Sequence, residues 1–484
     1  MQPKNLLFLF SDQHTRNALG CYGHPMVRTP HLDSLAARGT RFRNAYTNSP
    51  ICVPARAVLA TGRYVFETGY WDNAKPYEGS VPSWHHRLGH AGHRVESIGK
   101  LHFRSARDPN GFAAEHIPMH VVGGQGDLLG SLRDGSALLT KYRGYLDGAG
   151  AGDSTYIGYD RDITQAAIRW LTAAAERSDE RPWALFVSLV CPHPPIIAPQ
   201  RFYELYPPED VPWPRQFEPG LRPEHPAIRD IRDFLGLREP PPEDVVRRSI
   251  AAYYGLCSYL DDNVGRILDT LESTGLTAST RILYTSDHGE ANGDRGIWGK
   301  CNMYEETIGV PMILAGEDVP AGAVVDTPVS LADCFPTVLD CVGVPRVAED
   351  REALRGESLF EIARGGHPDR FAFSEFHAAA SSTASFMIRQ GTTKYVHHVG
   401  YPDQLFDLGT DPDEEHDLGN VPAHLGARRQ MHRLLRSLLD PEEVNGRART
   451  DQLARIAAVG GRDAVLARGS FGYTPAPGET PEFR

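Results

Sequence analysis

Lys4-Asn-Leu-Leu-Phe-Leu-Phe-Ser11, closed at once by Asp12-Gln13, is an apolar run of strand length that ends in polar residues. It reads as a short buried strand. The same texture returns at Arg94-Val-Glu-Ser-Ile98, Trp183-Ala-Leu-Phe-Val-Ser-Leu-Val190, Arg281-Ile-Leu-Tyr-Thr285 and Val310-Pro-Met-Ile-Leu314. Helical patterns lie between these runs. Thr29-Pro30 opens one, with Leu32, Leu35 and Ala36 on one face and Gly39 closing it. A second starts at or just after Cys52, where Pro54 suits a first turn. Others run from Ile163 to Ala175 and from Tyr253 to Leu276. Strands alternating with helices predict an α/β fold on a large, mainly parallel sheet flanked by helices. In such sheets ligands gather beyond the carboxyl ends of the strands. Four polar groups directly follow predicted strands: Asp12-Gln13, Lys100-Leu-His102, His193 and Asp287-His288. That placement predicts one shared site.

From about Phe371 the alternation gives way to short strand-like runs, Phe386-Met-Ile-Arg389, Lys394-Tyr-Val396 and Gln404-Leu-Phe406, separated by turn residues. The expected organisation is a catalytic α/β domain over 1–370, a smaller α+β domain over 371–460 and an extended, proline-containing tail over 461–484. The stretch from Arg201 to Pro242, rich in Pro, Arg, Glu and Asp, reads as an irregular insertion.

The 484 residues are enough to bury a large core. A formal net charge of −12 argues against non-specific nucleic-acid binding. No apolar run approaches the roughly 20 residues of a membrane span. Leu6 to Phe10 is too short for a signal core and Asp12 follows it. The seven cysteines, Cys21, Cys52, Cys191, Cys257, Cys301, Cys334 and Cys341, are odd in number and scattered. They form neither a disulfide framework nor a CxxC zinc pattern, so a cytoplasmic location is expected.

The polar groups have a chemistry in common. Cys52 heads a predicted helix, where backbone N–H groups favour negative charge, and Arg56 lies one turn on. A thiolate there would be activated. Asp12-Gln13 and Asp287-His288 offer carboxylate, amide and imidazole donors to one cation; the imidazole favours Mn²⁺ over Ca²⁺. Lys100 and Lys300 can hold an oxyanion, and His102 and His193 can move protons near neutral pH. Singly, each lysine or histidine reads as an ordinary surface or hydrogen-bonded residue; His85, His86, His90 and His93 are read that way. Phe471 and Tyr473 could form an aromatic wall for a cation, but packing of the tail onto a neighbour is the simpler expectation.

Cys52-Val-Pro-Ala-Arg56 resembles the Cys-x-Pro-x-Arg segment of type I sulfatases. Further agreement follows in order along most of the chain: Thr29-Pro-His-Leu-Asp33, Gly99-Lys-Leu-His102, Pro192-His-Pro194, Ser286-Asp-His-Gly289, Trp298-Gly-Lys300 and Leu405-Phe-Asp-Leu408. Together these are similar to the sulfatase branch of the alkaline phosphatase superfamily. The resemblance implies an alkaline-phosphatase-like fold and hydrolysis of a small-molecule sulfate monoester. It implies that Cys52 is converted to formylglycine by a formylglycine-generating enzyme, and that its hydrate is the nucleophile. One divalent cation, Ca²⁺ or Mn²⁺, would be held by Asp12, Gln13, Asp287 and His288. Arg56 would hold the hydrate, Lys100 and Lys300 the sulfate oxygens, and Asn73 would touch the transferred group. His193 would protonate the leaving oxygen and His102 would take the proton that lets sulfate leave. A homo-oligomer is also expected.

Two features set this chain apart from the commonest sulfatase pattern. The Asp-Gln and Asp-His pairs resemble those of choline sulfatases and phosphonate monoester hydrolases, and Ala55 replaces the commoner serine. Phosphonate monoester hydrolases carry Tyr and Thr where this chain has Lys100 and His102, which favours a sulfatase; Tyr70-Trp-Asp-Asn73 with Pro82-Ser-Trp84 looks like choline sulfatase. A phosphonate monoester or phosphodiester hydrolase is the alternative. A non-catalytic binding protein and a phosphomutase-like enzyme are weaker rivals, since the whole candidate set is present and position 52 is neither Ser nor Thr.

Overall fold

The computed structural model describes residues 2–135, 141–177, 181–481 and 483. In chain order, its first half contains β1 (Asn5–Asp12), α1 (Pro30–Ala37), β2 (Gly39–Phe42), α2 (Cys52–Thr61), β3 (Val95–Lys100) and β4 (Ala114–Met119). There follow α3 (Thr155–Ala175), β5 (Ala184–Pro192), α4 (Pro226–Phe234), α5 (Glu243–Ser273), β6 (Thr280–Ser286), β7 (Met312–Ala315) and β8 (Ala323–Val325). The main sheet has eight strands in the order β8-β2-β7-β6-β1-β5-β3-β4. β1 pairs parallel with both β5 and β6, while β7 runs antiparallel to β2 and β6. The sheet is therefore mixed but mainly parallel, as the alternation predicts.

The reason β1 reads as an unbroken apolar run is visible in its packing. Leu7 and Leu9 point to one face and join a core with Leu32 and Leu35 of α1, Ile163 of α3 and Leu260 of α5. Leu6, Phe8 and Phe10 point to the other and pack with Ala55 and Leu59 of α2. All five β1 side chains are fully buried. A strand covered on both faces needs apolar residues at every position, and each such side chain contributes roughly 1.5–3 kcal/mol on burial.

Helix boundaries depart from the periodicity. α5 begins at Glu243, well before the expected Tyr253, because Glu243 and Asp244 in its first turn suit the positive end of the helix dipole. α3 likewise starts early, at Thr155, where the Ser154 side chain accepts from Ile157 N–H. The stretch from Arg201 to Pro242 is not wholly irregular. α4 lies within it, with His225 capping its start, Pro226 at its first turn, and Ile228, Ile231 and Phe234 buried.

After residue 370 come β9 (Phe371–Phe376), β10 (Ser385–Gln390), β11 (Thr393–His398) and β12 (Gln404–Asp407), an antiparallel sheet in sequence order. α6 (Leu425–Leu438) and α7 (Pro441–Ala458) follow. The last stretch is not extended throughout: α8 (Arg462–Arg468) is a helix, and the described residues beyond it run as a strap. Tyr473 on that strap packs edge-on to Tyr156 of the same chain, with ring centroids 5.0 Å apart. The packing expected against a neighbour is thus made internally.

Among the described residues no helix is long and apolar enough to cross a membrane.

Candidate active site

β1, β3, β5 and β6 end side by side, so Asp12, Lys100, His193 and Asp287 converge at one edge of the sheet. α2 points its first turn at the same place. Lys100 Nζ lies 2.6 Å from Asp12 Oδ2, and His193 Nε2 lies 4.0 Å from Asp12 Oδ1. Cys52 Sγ is 3.2 Å from His288 Nε2 and 3.7 Å from Asp12 Oδ1. Lys300 Nζ donates to Gln13 Oε1 at 2.8 Å and to Cys52 Sγ at 2.9 Å, and sits 3.1 Å from His288 Nε2. Asn73 Oδ1 accepts from Val53 N–H at 3.1 Å, at the open end of α2. The predicted residues are all gathered here.

Arg56 is the brace of the site. Its Nε donates to Asp287 Oδ2 (3.1 Å) and one terminal nitrogen to Asp12 Oδ2 (2.9 Å). The other donates to the Lys100 carbonyl (2.7 Å) and Ser188 Oγ (3.0 Å). The guanidinium thus ties together four strands, at the ends of β1, β3 and β6 and at mid-β5. Gln13 and His102, both at strand-end turns, take the left-handed backbone conformation (φ 65° and 59°). For non-glycine residues this costs about 1–3 kcal/mol each and concentrates at functional sites.

The electrostatics favour a cation between two carboxylates. Burial pushes the Asp12 carboxyl up, but Lys100, His193, Arg56 and Lys300 outweigh it and hold it well below the usual range. Asp287, buried and beside Asp12, is pushed up to about 6. Burial, with Lys300 nearby, keeps His288 and His193 neutral. The tautomer of His288 follows from its neighbours. Its Nδ1–H can donate to the Gly289 carbonyl at 3.0 Å, which leaves an electron pair on Nε2. That pair, an Asp12 oxygen, an Asp287 oxygen and Cys52 Sγ can all lie within 4.8 Å of one another. The Lys300 ammonium already rests on Gln13 Oε1, Cys52 Sγ and His288 Nε2, so the cage presents electron pairs to a positive charge. The donor set fits a divalent cation.

The thiol departs from expectation. Burial and the Asp12 carboxylate push Cys52 up to about 11, against the pull of Lys300. The helix N-terminus does not make it a thiolate: with Asp12 close by, the desolvation cost dominates.

Several site-building residues have no local signal in the sequence. Asp160 of α3 accepts from Val190 N–H (2.6 Å) and Cys191 N–H (2.8 Å), fixing the end of β5 just before His193. Glu290 accepts from Gln13 Nε2, Gly299 N–H and Asn292 N–H and so orients Gln13. Asp72, next to Asn73, is bound by Arg455 and Gln452 of α7. A cavity of about 120 Å³ lies over Cys52, walled by Lys100, His102, His193 and Lys300 and roofed by Phe234, Phe471 and Tyr473.

A mainly parallel sheet whose carboxyl edge carries a carboxylate–imidazole cation cage, with Lys100 and Lys300 beside it, defines an α/β protein with a site suited to an anionic ester. The sequence profile of the Sulfatase family matches residues 4–344, and one described as N-sulphoglucosamine sulphohydrolase, C-terminal, matches 293–440. The choline-sulfatase of Rhizobium meliloti (strain 1021) is 33% identical over 427 residues, covering 86% of this chain and 83% of its own. Arylsulfatase K of Danio rerio is 29% identical over 468 residues, 91% of this chain and 84% of its own. Among solved structures, the phosphonate monoester hydrolase of Agrobacterium radiobacter superposes with a TM-score of 0.71 at 24% identity, over 90% of this chain and 95% of its own, a likeness of fold. The chain belongs to the sulfatase family, and it is a sulfuric ester hydrolase.

Proposed function

We propose that the chain hydrolyses a small sulfate monoester, with a formylglycine made from Cys52 and one divalent cation. The observation that carries this reading is the convergence on Cys52 of Lys300 at 2.9 Å and His288 at 3.2 Å, beside Asp12, in a chain of this family. Burial and the Asp12 carboxylate raise the Cys52 thiol in the metal-free chain, so without a cation it is held as the neutral thiol.

Asp12, Gln13, Asp287 and His288 would hold the cation. When present, the cation supplies Lewis acidity, and the aldehyde hydrate supplies an oxygen nucleophile that can later release sulfate by elimination. The chain's own residues do the rest. Lys100 and Lys300 bind the sulfate oxygens as point charges, and Asn73 fixes the start of α2 beside them. Arg56 keeps Asp12 and Asp287 aligned. His193 donates Nδ1–H to the Pro194 carbonyl at 2.7 Å, so Nε2 is the nitrogen that carries a proton to the leaving oxygen. The charge of a bound sulfate favours the protonated ring. His102 takes up a proton on the other side. The imidazole among the ligands favours Mn²⁺ over Ca²⁺.

A cavity of about 120 Å³ suits a small leaving alcohol, and choline sulfate and short alkyl sulfates are the first esters to test. All seven cysteines are unpaired, which supports a cytoplasmic location. The formylglycine-generating enzyme is the partner needed for maturation, and a homo-oligomer remains part of the reading.

The deciding experiment compares kcat/KM for an aryl sulfate and the matching aryl phosphonate monoester, on metal-loaded protein co-expressed with the formylglycine-generating enzyme. Sulfate is expected to be preferred. A preference for phosphonate would show that Lys100 and His102 do not set specificity, and would favour the second reading, a phosphonate monoester hydrolase. That reading draws on the Asp-Gln and Asp-His pairs and on the shared fold.

His288→Ala is expected to reduce bound divalent metal after dialysis, measured by elemental analysis. Metal content equal to wild type would remove His288 from the ligand set.

A further inference from the structure

The strap beyond α8 supplies a side chain that the ester-hydrolysis reading does not use. Thr474 Oγ1 lies 2.7 Å from His102 Nε2. Both residues are buried, and both line the cavity over Cys52. The other ring nitrogen, His102 Nδ1, is buried with no hydrogen-bond partner among the described residues. The ring is thus anchored through Nε2 alone, and an unsatisfied buried nitrogen is costly unless something outside the chain meets it.

The strap holds Thr474 firmly. Tyr156 OH donates to the Thr474 carbonyl at 2.6 Å, and Tyr473 packs against the same tyrosine. Upstream, Ser470 Oγ donates to Asp127 Oδ2 at 2.5 Å; downstream, Ala476 is buried in the core beside α3 and β5. The hydroxyl is therefore delivered from a segment pinned on both sides, and Tyr156 also neighbours His193, at 5.7 Å between ring centroids.

We propose that Thr474 is a positioning residue for the reaction: its Oγ1 accepts from His102 Nε2–H and so holds the ring in the tautomer whose Nδ1 carries a free electron pair. Which nitrogen of a histidine is protonated is set by the hydrogen bond that the other makes. On the sulfatase reading, a hydroxyl proton of the sulfated hydrate at position 52 would pass to Nδ1 as the aldehyde C=O bond re-forms, the C–O bond to the sulfate group breaks and inorganic sulfate leaves with that electron pair. The cation formed keeps Nε2–H on Thr474 Oγ1, so the ring need not turn during the transfer. Without the hydroxyl, the two tautomers compete and the ring loses its anchor. The inference rests on the sulfatase reading for its reaction, but its tautomer is a property of the chain alone.

The test uses T474V, which keeps the shape and removes the hydroxyl, T474A as a less bulky second variant, and T474S, which restores the hydroxyl. On full-length, metal-loaded, formylglycine-containing enzyme, T474V and T474A are expected to lower kcat on an aryl sulfate by about 10- to 100-fold, at or below the range for losing a general base outright. KM should change little, and T474S should recover most of the loss. The second readout needs neither metal nor modification. In ¹⁵N-histidine-labelled, unmodified, metal-free protein, with the His102 signals identified from H102Q, wild type and T474S should show the Nε2-protonated tautomer and T474V and T474A a mixture. Wild-type kcat in T474V, or a His102 tautomer that is the same with and without the hydroxyl, would overturn the proposal. Should wild type itself lack turnover of sulfate esters, the ester reading fails, and the NMR comparison still decides the role of Thr474.

Discussion

Replacing Cys52 by serine is expected to remove turnover of sulfate esters while leaving the fold in place. Cys52 is the first residue of α2 and is about 1% exposed, so an oxygen in place of sulfur changes little in packing. Stability should stay within about 1 kcal/mol of wild type. Serine, however, is not converted to the aldehyde by the oxidising route that acts on cysteine. A serine alcohol would also leave a sulfate ester that water must attack, where a hydrate can eliminate sulfate. Loss of a nucleophile of this kind lowers kcat/KM by on the order of 10⁴-fold or more. The check is kcat/KM on an aryl sulfate for both proteins, with thermal melts and mass spectrometry of the peptide that contains residue 52. Full turnover in Cys52→Ser, or full turnover of wild type whose Cys52 is unmodified, would sink the formylglycine proposal.

Arg56→Ala is expected to cost the metal-free protein about 3–5 kcal/mol of stability, as when one partner of a buried ion pair is removed. The guanidinium is 2% exposed and the Asp12 and Asp287 side chains are fully buried. Its removal leaves two buried carboxylates short of a partner and frees the Lys100 carbonyl and Ser188 Oγ as well. Lysine should not rescue it, because a single ammonium cannot reproduce the fork that reaches four acceptors. Added divalent cation should return part of the loss by neutralising the same carboxylates. Chemical denaturation of wild type, Arg56→Ala and Arg56→Lys, with and without metal, tests each part. An unchanged midpoint in Arg56→Ala would mean that the carboxylates are neutralised by other groups.

Much of this arrangement is legible before folding because it is local. A run such as Leu6 to Phe10 announces a strand covered on both faces, and the polar residues after four such runs fall at one sheet edge. The local pattern misleads wherever a long-range contact overrides it. α5 starts where acidic residues meet its dipole rather than where its apolar stripe becomes dense. α4 forms inside a stretch whose proline and charge content suggests a loop, because Ile228, Ile231 and Phe234 find a core to enter. The thiol at a helix start reads as activated, yet burial in the folded chain raises its pKa, helped by a carboxylate from β1, 40 residues away in sequence.

By itself, then, the sequence determined the α/β class, the family, and the residues that meet around Cys52, since strand ends and short motifs are encoded by neighbours in the chain. Only the tertiary structure decided how those residues are held. It set Arg56 across four strands, Asp160 under the His193 turn, and Thr474 on His102, a pair 372 residues apart. The physical reason is that hydrophobic periodicity reports which face of an element is buried, whereas the partner of a buried polar atom is chosen by whatever the folded chain brings within hydrogen-bond reach.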